Sequence, residues 1–432
     1  MKRDDWRIHM AKMYVAFVLN FYQPSNQSPE VLEEVTRESY LPLAKLFNVN
    51  TTLKPKFTVS ITDSLLRLLE KKRLDAEILE LLKQAQRTNN IEIIHSGAYY
   101  PIFPLIPESE VQRQIELDII SKQHYLEVSE KTGIFSPELC YKDSLLALYS
   151  NKPFEFKWTL ISDQLMAKEG IEVPEQKIYR VGELCVLMRS QLWSDRIKEK
   201  QESGKHWTGK DFVEALANEV KTKDSNCYKI IALGAETFGH HIKYFQDTFL
   251  RDMLYAIEGT EAVELCLVSE LLEKADLPKV EKHAETGKAF TYFPPSSWAT
   301  SVDDASRNDL YPHWQSPGNQ IHEKLWKLTH LILDACKKLD FSNGKHKELR
   351  NLLDQAFYSE TYYYASIWFW EPEKIKLIYK GIDLQMRALY KYCRLSKDND
   401  VFQKGKHIYT QLMKEIFIET ERRKRKKTNG QE

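Results

Sequence analysis

Through the first two thirds of the chain, short unbroken apolar runs alternate with longer stretches in which apolar residues recur every three or four positions. The runs fall at residues 14–20, 56–61, 91–95, 157–162, 184–189 and 228–233. Continuous hydrophobicity over so few residues predicts strands buried on both faces, as in parallel sheets. The stretches between them predict helices. Residues 62–88 carry Leu65, Leu66, Leu69, Ile78, Leu81 and Leu82 at helical spacing, and 108–131 and 211–223 are similar. Thr208, with Asp211 three residues on, marks a helix start, because hydroxyl and carboxylate each satisfy the other's orphan amide. Such alternation implies a parallel sheet, either closed into a barrel or doubly wound. From about Ile321 the pattern turns wholly helical, at 321–339, 345–364, 373–393 and 398–424, with Pro372 at a helix start where a missing N–H costs little. The junction, 294–319, is rich in Pro, Ser, Asp and Asn and reads as ordered loop.

In parallel α/β sheets the functional residues follow the carboxyl ends of the strands. Those positions hold Tyr22-Gln23-Pro24, His95 to Pro101, Phe135-Ser136-Pro137-Glu138, Ser162-Asp163, Arg189 with Trp193-Ser194-Asp195, and Gly234-Ala235-Glu236-Thr237-Phe238-Gly239-His240-His241. A later loop supplies Ser296-Ser297-Trp298. Carboxylates, amides and aromatic rings dominate this rim. No strand is followed by GxGxxG or GxxxxGK[ST], which counts against a nucleotide site. His240 and His241 suggest a metal, but adjacent side chains point apart and no third ligand is evident, so no metal is expected.

Composition narrows the partners. Lys+Arg and Asp+Glu both number 62, so the formal net charge is zero, and no global field draws the chain to nucleic acid or an anionic membrane. The one basic run, from Arg422 to Lys427, reads as a solvated helix end. The six cysteines are widely spaced and form no CxxC, which speaks for reduced thiols and a cytoplasmic setting. No apolar stretch reaches the length of a membrane span. Nine Trp, 22 Tyr and 19 Phe suit both a core and a sugar cleft, where rings stack on apolar sugar faces.

The order of these stretches resembles glycoside hydrolase family 57, from Phe21 to about Trp370. The resemblance is carried by Gln23-Pro24, Tyr99 to Leu105, Phe135-Ser136-Pro137-Glu138, Glu236 to His241, Ser296 to Thr300, Tyr311 to Trp314 with Asn319 to His322, and Ser359 to Ser366. It implies an α/β fold: an incomplete (β/α)7 barrel over 1–293, then a loop junction and C-terminal helical bundle over 294–432 that completes the cleft. It also implies an α-glucan or maltooligosaccharide partner, retaining hydrolysis or transfer, and no metal or organic cofactor. A retaining site needs a carboxylate nucleophile and a carboxylic acid roughly 5–5.5 Å apart. By the resemblance the nucleophile position is Glu138. The acid position, two residues before the Glu of Glu-Thr-Phe-Gly, is Gly234, which has no proton to give. Tyr22 and Tyr100 also stand where the family has histidines. Gln23, His240, Trp298 and Tyr363 complete the expected sugar-binding set with Tyr22 and Tyr100.

Three expectations follow. An active α-glucan enzyme would use Glu138 with an unusual acid. Glu236 is the candidate, its default role being to accept a sugar hydroxyl or support a neighbour. A binding protein would hold glucan without turning it over, with Gly234→Asp recovering part of the activity. A scaffold would have no glucan affinity.

Overall fold

The computed structural model describes residues 11–49, 52, 55–166, 177–274, 276–281, 293–366 and 370–428. Ten strands join one sheet: β1 (Met13–Phe21), β2 (Phe57–Ile61), β3 (Ile91–Ile94), β4 (Gly133–Ile134), β5 (Trp158–Ser162), β6 (Ile178–Val181), β7 (Leu184–Arg189), β8 (Cys227–Gly234), β9 (Val263–Leu265) and β10 (Lys279–Glu281). The six apolar runs become β1, β2, β3, β5, β7 and β8, each to within one residue at either end. The other four strands are too short to stand out as apolar runs. Among the described residues the chain forms two compact units. The first takes the chain up to Gln23, Gln27–Ala98 and Ile115–Trp298. The second takes Pro24–Asn26, Tyr99–Gln114 and the chain from Ala299 on.

The first unit is the incomplete (β/α)7 barrel. β1, β2, β3, β4, β5, β7 and β8 follow one another around a ring with parallel neighbours throughout. All nine residues of β1 are buried, as a central strand between two layers must be. β8 runs along one edge of β1 from Met13 to Asn20, while β9 and β2 share the other. Two seams of the ring are thin. β7 and β8 meet at Arg189↔Ile230 alone, because β6 folds back antiparallel on residues 184–186 of β7 and takes the edge β8 would use. Side chains substitute there. Tyr228 Oη accepts from Met188 N (3.1 Å), Ser194 Oγ from Ala232 N (3.3 Å), and Arg189 Nε donates to Ala232 O (3.1 Å). At the other seam β3 and β4 meet through the single bridge His95↔Ile134.

A buried ionic cluster backs that second seam. Lys122 and Asp118 have no exposed surface, and the ammonium lies 2.6 and 2.7 Å from the two carboxylate oxygens. Asp118 Oδ2 also takes Ser96 N (3.0 Å) and lies 3.1 Å from His95 Nδ1. The same His95 exchanges backbone bonds with Gly133 O (2.9 Å) and Phe135 N (2.8 Å) across the seam. Burial pushes both Lys122 and His95 toward their neutral forms, and Asp118 opposes that shift in each.

Helices surround the strands much as the periodicity predicts, with two breaks. Residues 62–88 form two helices, Asp63–Lys72 and Asp75–Arg87, parted by Arg73 in the left-handed region (φ 57°). The predicted cap at Thr208 forms in full, with Asp211 N on Thr208 Oγ1 and Thr208 N on Asp211 Oδ2.

The second unit packs the helices Gln320–Cys336, Lys347–Ala356, Pro372–Ser396 and Asn399–Thr428. The stretch predicted as one helix at 345–364 stops at Ala356 and resumes for one turn at Glu360–Tyr363. Tyr358 is drawn out of it to bridge Pro101, and Ser359 N donates to Tyr100 O (3.1 Å). Residues 99–114 are further tied in by a two-pronged Arg113–Asp354 pair (2.7 Å each) and by Arg350 on Glu110. Trp326 stacks on Tyr362 with ring centroids 4.1 Å apart. Trp368 and Phe369 lie outside the described residues. The basic run continues the last helix, where Arg422 and Arg423 both pair with Glu419. All six cysteines are free. Among the described residues no helix is long and apolar enough to cross a membrane.

Asp118→Ala leaves the buried Lys122 side chain without the carboxylate that holds it. It is expected to cost about 3–5 kcal/mol, measured as a lower urea midpoint at unchanged slope.

Candidate active site

Glu138 follows β4 in a single 3-10 turn, Pro137–Leu139, and both Glu138 (φ 59°) and Leu139 (φ 47°) have left-handed backbones. For residues with a Cβ this conformation is strained and persists only when the surroundings over-determine it. Here they do. Leu139 and Cys140 are fully buried, and Ser136 Oγ sits 2.6 Å from Tyr149 Oη. Leu139 N and Cys140 N close back onto Ser136 O and Pro137 O. The result is a half-buried carboxylate on a fixed turn. Burial first, and the neighbouring Glu138 second, push the Cys140 thiol well up.

The loop before Ala299 is zipped to this turn. Tyr141 and Ser296 exchange backbone bonds (2.7 and 3.2 Å), and Trp298 N donates to Glu138 O (3.2 Å). Trp298 is half-buried. Its ring lies 6.3 Å from that of Phe135 and 5.8 Å from the Arg189 guanidinium carbon. Arg189 is itself buried, which lowers its pKa to about 10, and Asp195 lies 3.9 Å from it. Asp163 accepts from Gln191 N (2.9 Å), anchoring the start of the next helix.

Gly234 ends β8 with an ordinary extended backbone (φ −62°, ψ 135°), so nothing in the chain path there requires glycine. Glu236 follows in the next turn. Its Oε1 accepts from Tyr40 Oη and from Gln23 Nε2 (3.2 Å). Gln23 Nε2 also donates to Tyr40 Oη (3.0 Å), which lies 3.2 Å from Tyr22 O. Burial raises the Glu236 pKa, against the hydrogen bonds from Tyr40, Gln23 and the backbone amides of Glu236 and Tyr22. Tyr22 and Gln23 are both buried. Tyr40 is the member that sequence reading missed. It lies on a helical stretch between β1 and β2, where a lone Tyr carries no signal.

The Glu236 carbonyl accepts from His240 N (3.2 Å) and His241 N (2.8 Å). His240 Nδ1 is 2.7 Å from Glu38 Oε2, and Lys243 Nζ is 2.6 Å from the same oxygen. The hydrogen bonds from Lys243 and then His240 hold the Glu38 carboxyl below the usual range. Glu34, Glu38 and His240 bring ligand atoms within 4.8 Å of one another, supplying a third donor that the sequence did not reveal. Lys243, however, already neutralises Glu38.

Two of the expected residues belong to the second unit. Tyr100 has a left-handed backbone (φ 59°) and no exposed surface. Tyr363 is half-buried against His313 (5.5 Å), Trp314 (5.9 Å) and Tyr364 (5.3 Å). Its neighbour Tyr362 is core.

The family model "Glycosyl hydrolase family 57" matches residues 6–285. An α-amylase of Pyrococcus abyssi (strain GE5 / Orsay) is 21% identical over 307 residues, which is 68% of this chain and 44% of that protein. The chain therefore spans less than half the length of that relative. Among solved structures, a 4-α-glucanotransferase from Thermococcus litoralis is similar with a TM-score of 0.64 and 18% identity, over 89% of this chain and 60% of that one. A branching enzyme from Pyrococcus horikoshii is similar with a TM-score of 0.66 and 14% identity, over 94% of each chain. Likeness at such identities establishes the fold.

The Glu-Thr-Phe-Gly stretch also explains its glycine. At Gly239 (φ 115°) an added Cβ would lie 2.0 Å from Glu38 O, a backbone atom that cannot swing aside. Gly239→Ala is expected to cost roughly 1–3 kcal/mol or more in urea unfolding, and to unseat His240 from Glu38.

Proposed function

The chain belongs to glycosyl hydrolase family 57, and on that premise we propose that its barrel carries a retaining site for α-glucans with Glu138 as the nucleophile. The carrying observation is the strained turn that holds Glu138 at the carboxyl end of β4, with Trp298 hydrogen-bonded to its carbonyl. Such strain is kept where a group must be presented in one orientation. Its carboxylate would attack the anomeric carbon of the glucosyl unit, and water or a sugar hydroxyl would release the resulting glycosyl-enzyme.

Trp298 would act as the stacking platform, a half-buried ring held at the Glu138 turn beside the Arg189 guanidinium. Gln23, Tyr22 and His240 would take sugar hydroxyls around the end of β8. Neither a metal nor an organic cofactor enters the chemistry. Six free thiols suit a cytoplasmic protein.

A second reading, glucan binding without turnover, is favoured by Gly234, which offers no acid where the family has one. The two readings separate on one pair of measurements. With α-maltosyl fluoride, whose leaving group needs no proton, the wild-type protein is expected to gain a maltosyl adduct by intact mass and Glu138→Gln to gain none. Maltooligosaccharide turnover should vanish in the same variant. Glucan affinity with neither adduct nor turnover would leave the binding-only reading. No affinity at all would sink both.

A further inference from the structure

We infer that Glu236 supplies the proton Gly234 cannot, with its Oε2 standing in the volume of the missing side chain; this rests on the reading of Glu138 as nucleophile. A Cβ built on Gly234 would lie 2.9 Å from Glu236 Oε2. Beyond the adjoining chain, no other described heavy atom comes within 4 Å of it. The space left by the lost side chain is thus open except for one atom, and that atom is a carboxyl oxygen. Because the Gly234 backbone is ordinary, the side chain was not lost to meet a demand of the chain path.

The carboxyl is also fixed in that direction. Oε1 is held by Tyr40 Oη and Gln23 Nε2, and Tyr40 is buried. Held by one oxygen, Glu236 keeps the other on the Gly234 side. Burial outweighs the surrounding donors and raises the Glu236 pKa above the usual carboxyl value, the direction a general acid requires. The ring order adds the placement. From β8 to β4 one passes β7 and β5 in one direction and β1, β2 and β3 in the other. Glu236 and Glu138 therefore rise from nearly opposite sides of the barrel mouth.

In the first half-reaction a Glu138 carboxylate oxygen bonds to the anomeric carbon as the glycosidic C–O bond breaks. The bonding pair stays on the departing oxygen, and that oxygen takes the proton from Glu236. In the second, a water oxygen bonds to the anomeric carbon and passes its proton to the Glu236 carboxylate. The bond to Glu138 breaks and its pair returns to the carboxylate. Both side chains end as they began.

The test compares the wild type, Glu236→Gln and Tyr40→Phe on a maltooligosaccharide and on α-maltosyl fluoride. Glu236→Gln should lower maltooligosaccharide turnover about 10²–10⁴-fold, while the rate at which the fluoride forms its maltosyl adduct, a step that needs no proton, should fall by less than about tenfold. Tyr40→Phe removes a donor that favours the charged carboxyl, so the Glu236 pKa should rise. Activity that is lost as the acid deprotonates should then persist to higher pH on the maltooligosaccharide. In Glu236→Gln, a loss of adduct formation from the fluoride equal to the loss of maltooligosaccharide turnover would overturn the inference by making the carboxyl structural. A wild type that turns over the fluoride but not the maltooligosaccharide would overturn it and leave Glu138 standing as nucleophile. A wild type inactive on both would overturn the nucleophile reading as well. Gly234→Asp gives a second check: its Cβ must displace Glu236 Oε2, so it should lower turnover, and a gain would count against Glu236.

Discussion

The mouth of the barrel depends on the parallel register between β1 and β8. Eight consecutive pairs, from Met13↔Cys227 to Asn20↔Gly234, set Tyr22 and Gln23 beside Glu236. Backbone bonds fix that alignment, and both strands are buried along nearly their whole length. A slip by one residue would turn every side chain of β1 to the opposite face of the sheet. It would also part Gln23 from the Glu236 carboxyl. The polar cluster of Gln23, Tyr40 and Glu236 is thus a consequence of hydrophobic strand packing.

The ring that carries this register is weakest at two seams, and in both places side chains make up for absent backbone pairing. Beside β6, Arg189, Tyr228 and Ser194 satisfy amides and carbonyls that a longer β7–β8 ladder would have paired. Buried backbone groups require such partners. Beside β4, His95 spans the gap with its backbone while Asp118 and Lys122 back its side chain. Both seams lie next to strand ends that feed the candidate site. β4 leads to Glu138, and Arg189 reaches Trp298.

The two glutamates differ in a way that suits different tasks. Glu138 sits on a strained turn and is half-buried, its charge felt by Cys140. Glu236 is held through one oxygen in surroundings that favour the proton. Gly234 leaves open the space toward which Glu236 Oε2 points.

Much of the architecture could be read from the chain. Two-sided burial makes a strand uniformly apolar, so the long ring strands announced themselves, and Thr208 with Asp211 marked its helix correctly because a cap is a local device. Gly234 was legible as a strand end because it follows an apolar run, whereas Glu138 follows the two-residue β4 and Trp298 lies in a loop, so the family resemblance singled them out. The rest depends on contacts distant in sequence. Nothing near Tyr358 signals that Pro101 will pull it from a helix. Nothing near Tyr40 signals a bond to Glu236, nearly two hundred residues away. β6 is short and mixed in character, yet it decides where the ring opens by claiming an edge of β7. The sequence determined which residues stand at the strand ends, because burial and capping are written locally. Which of them share a proton, a ring face or a seam was decided by tertiary structure alone, because those bonds join groups that only the closed barrel brings together.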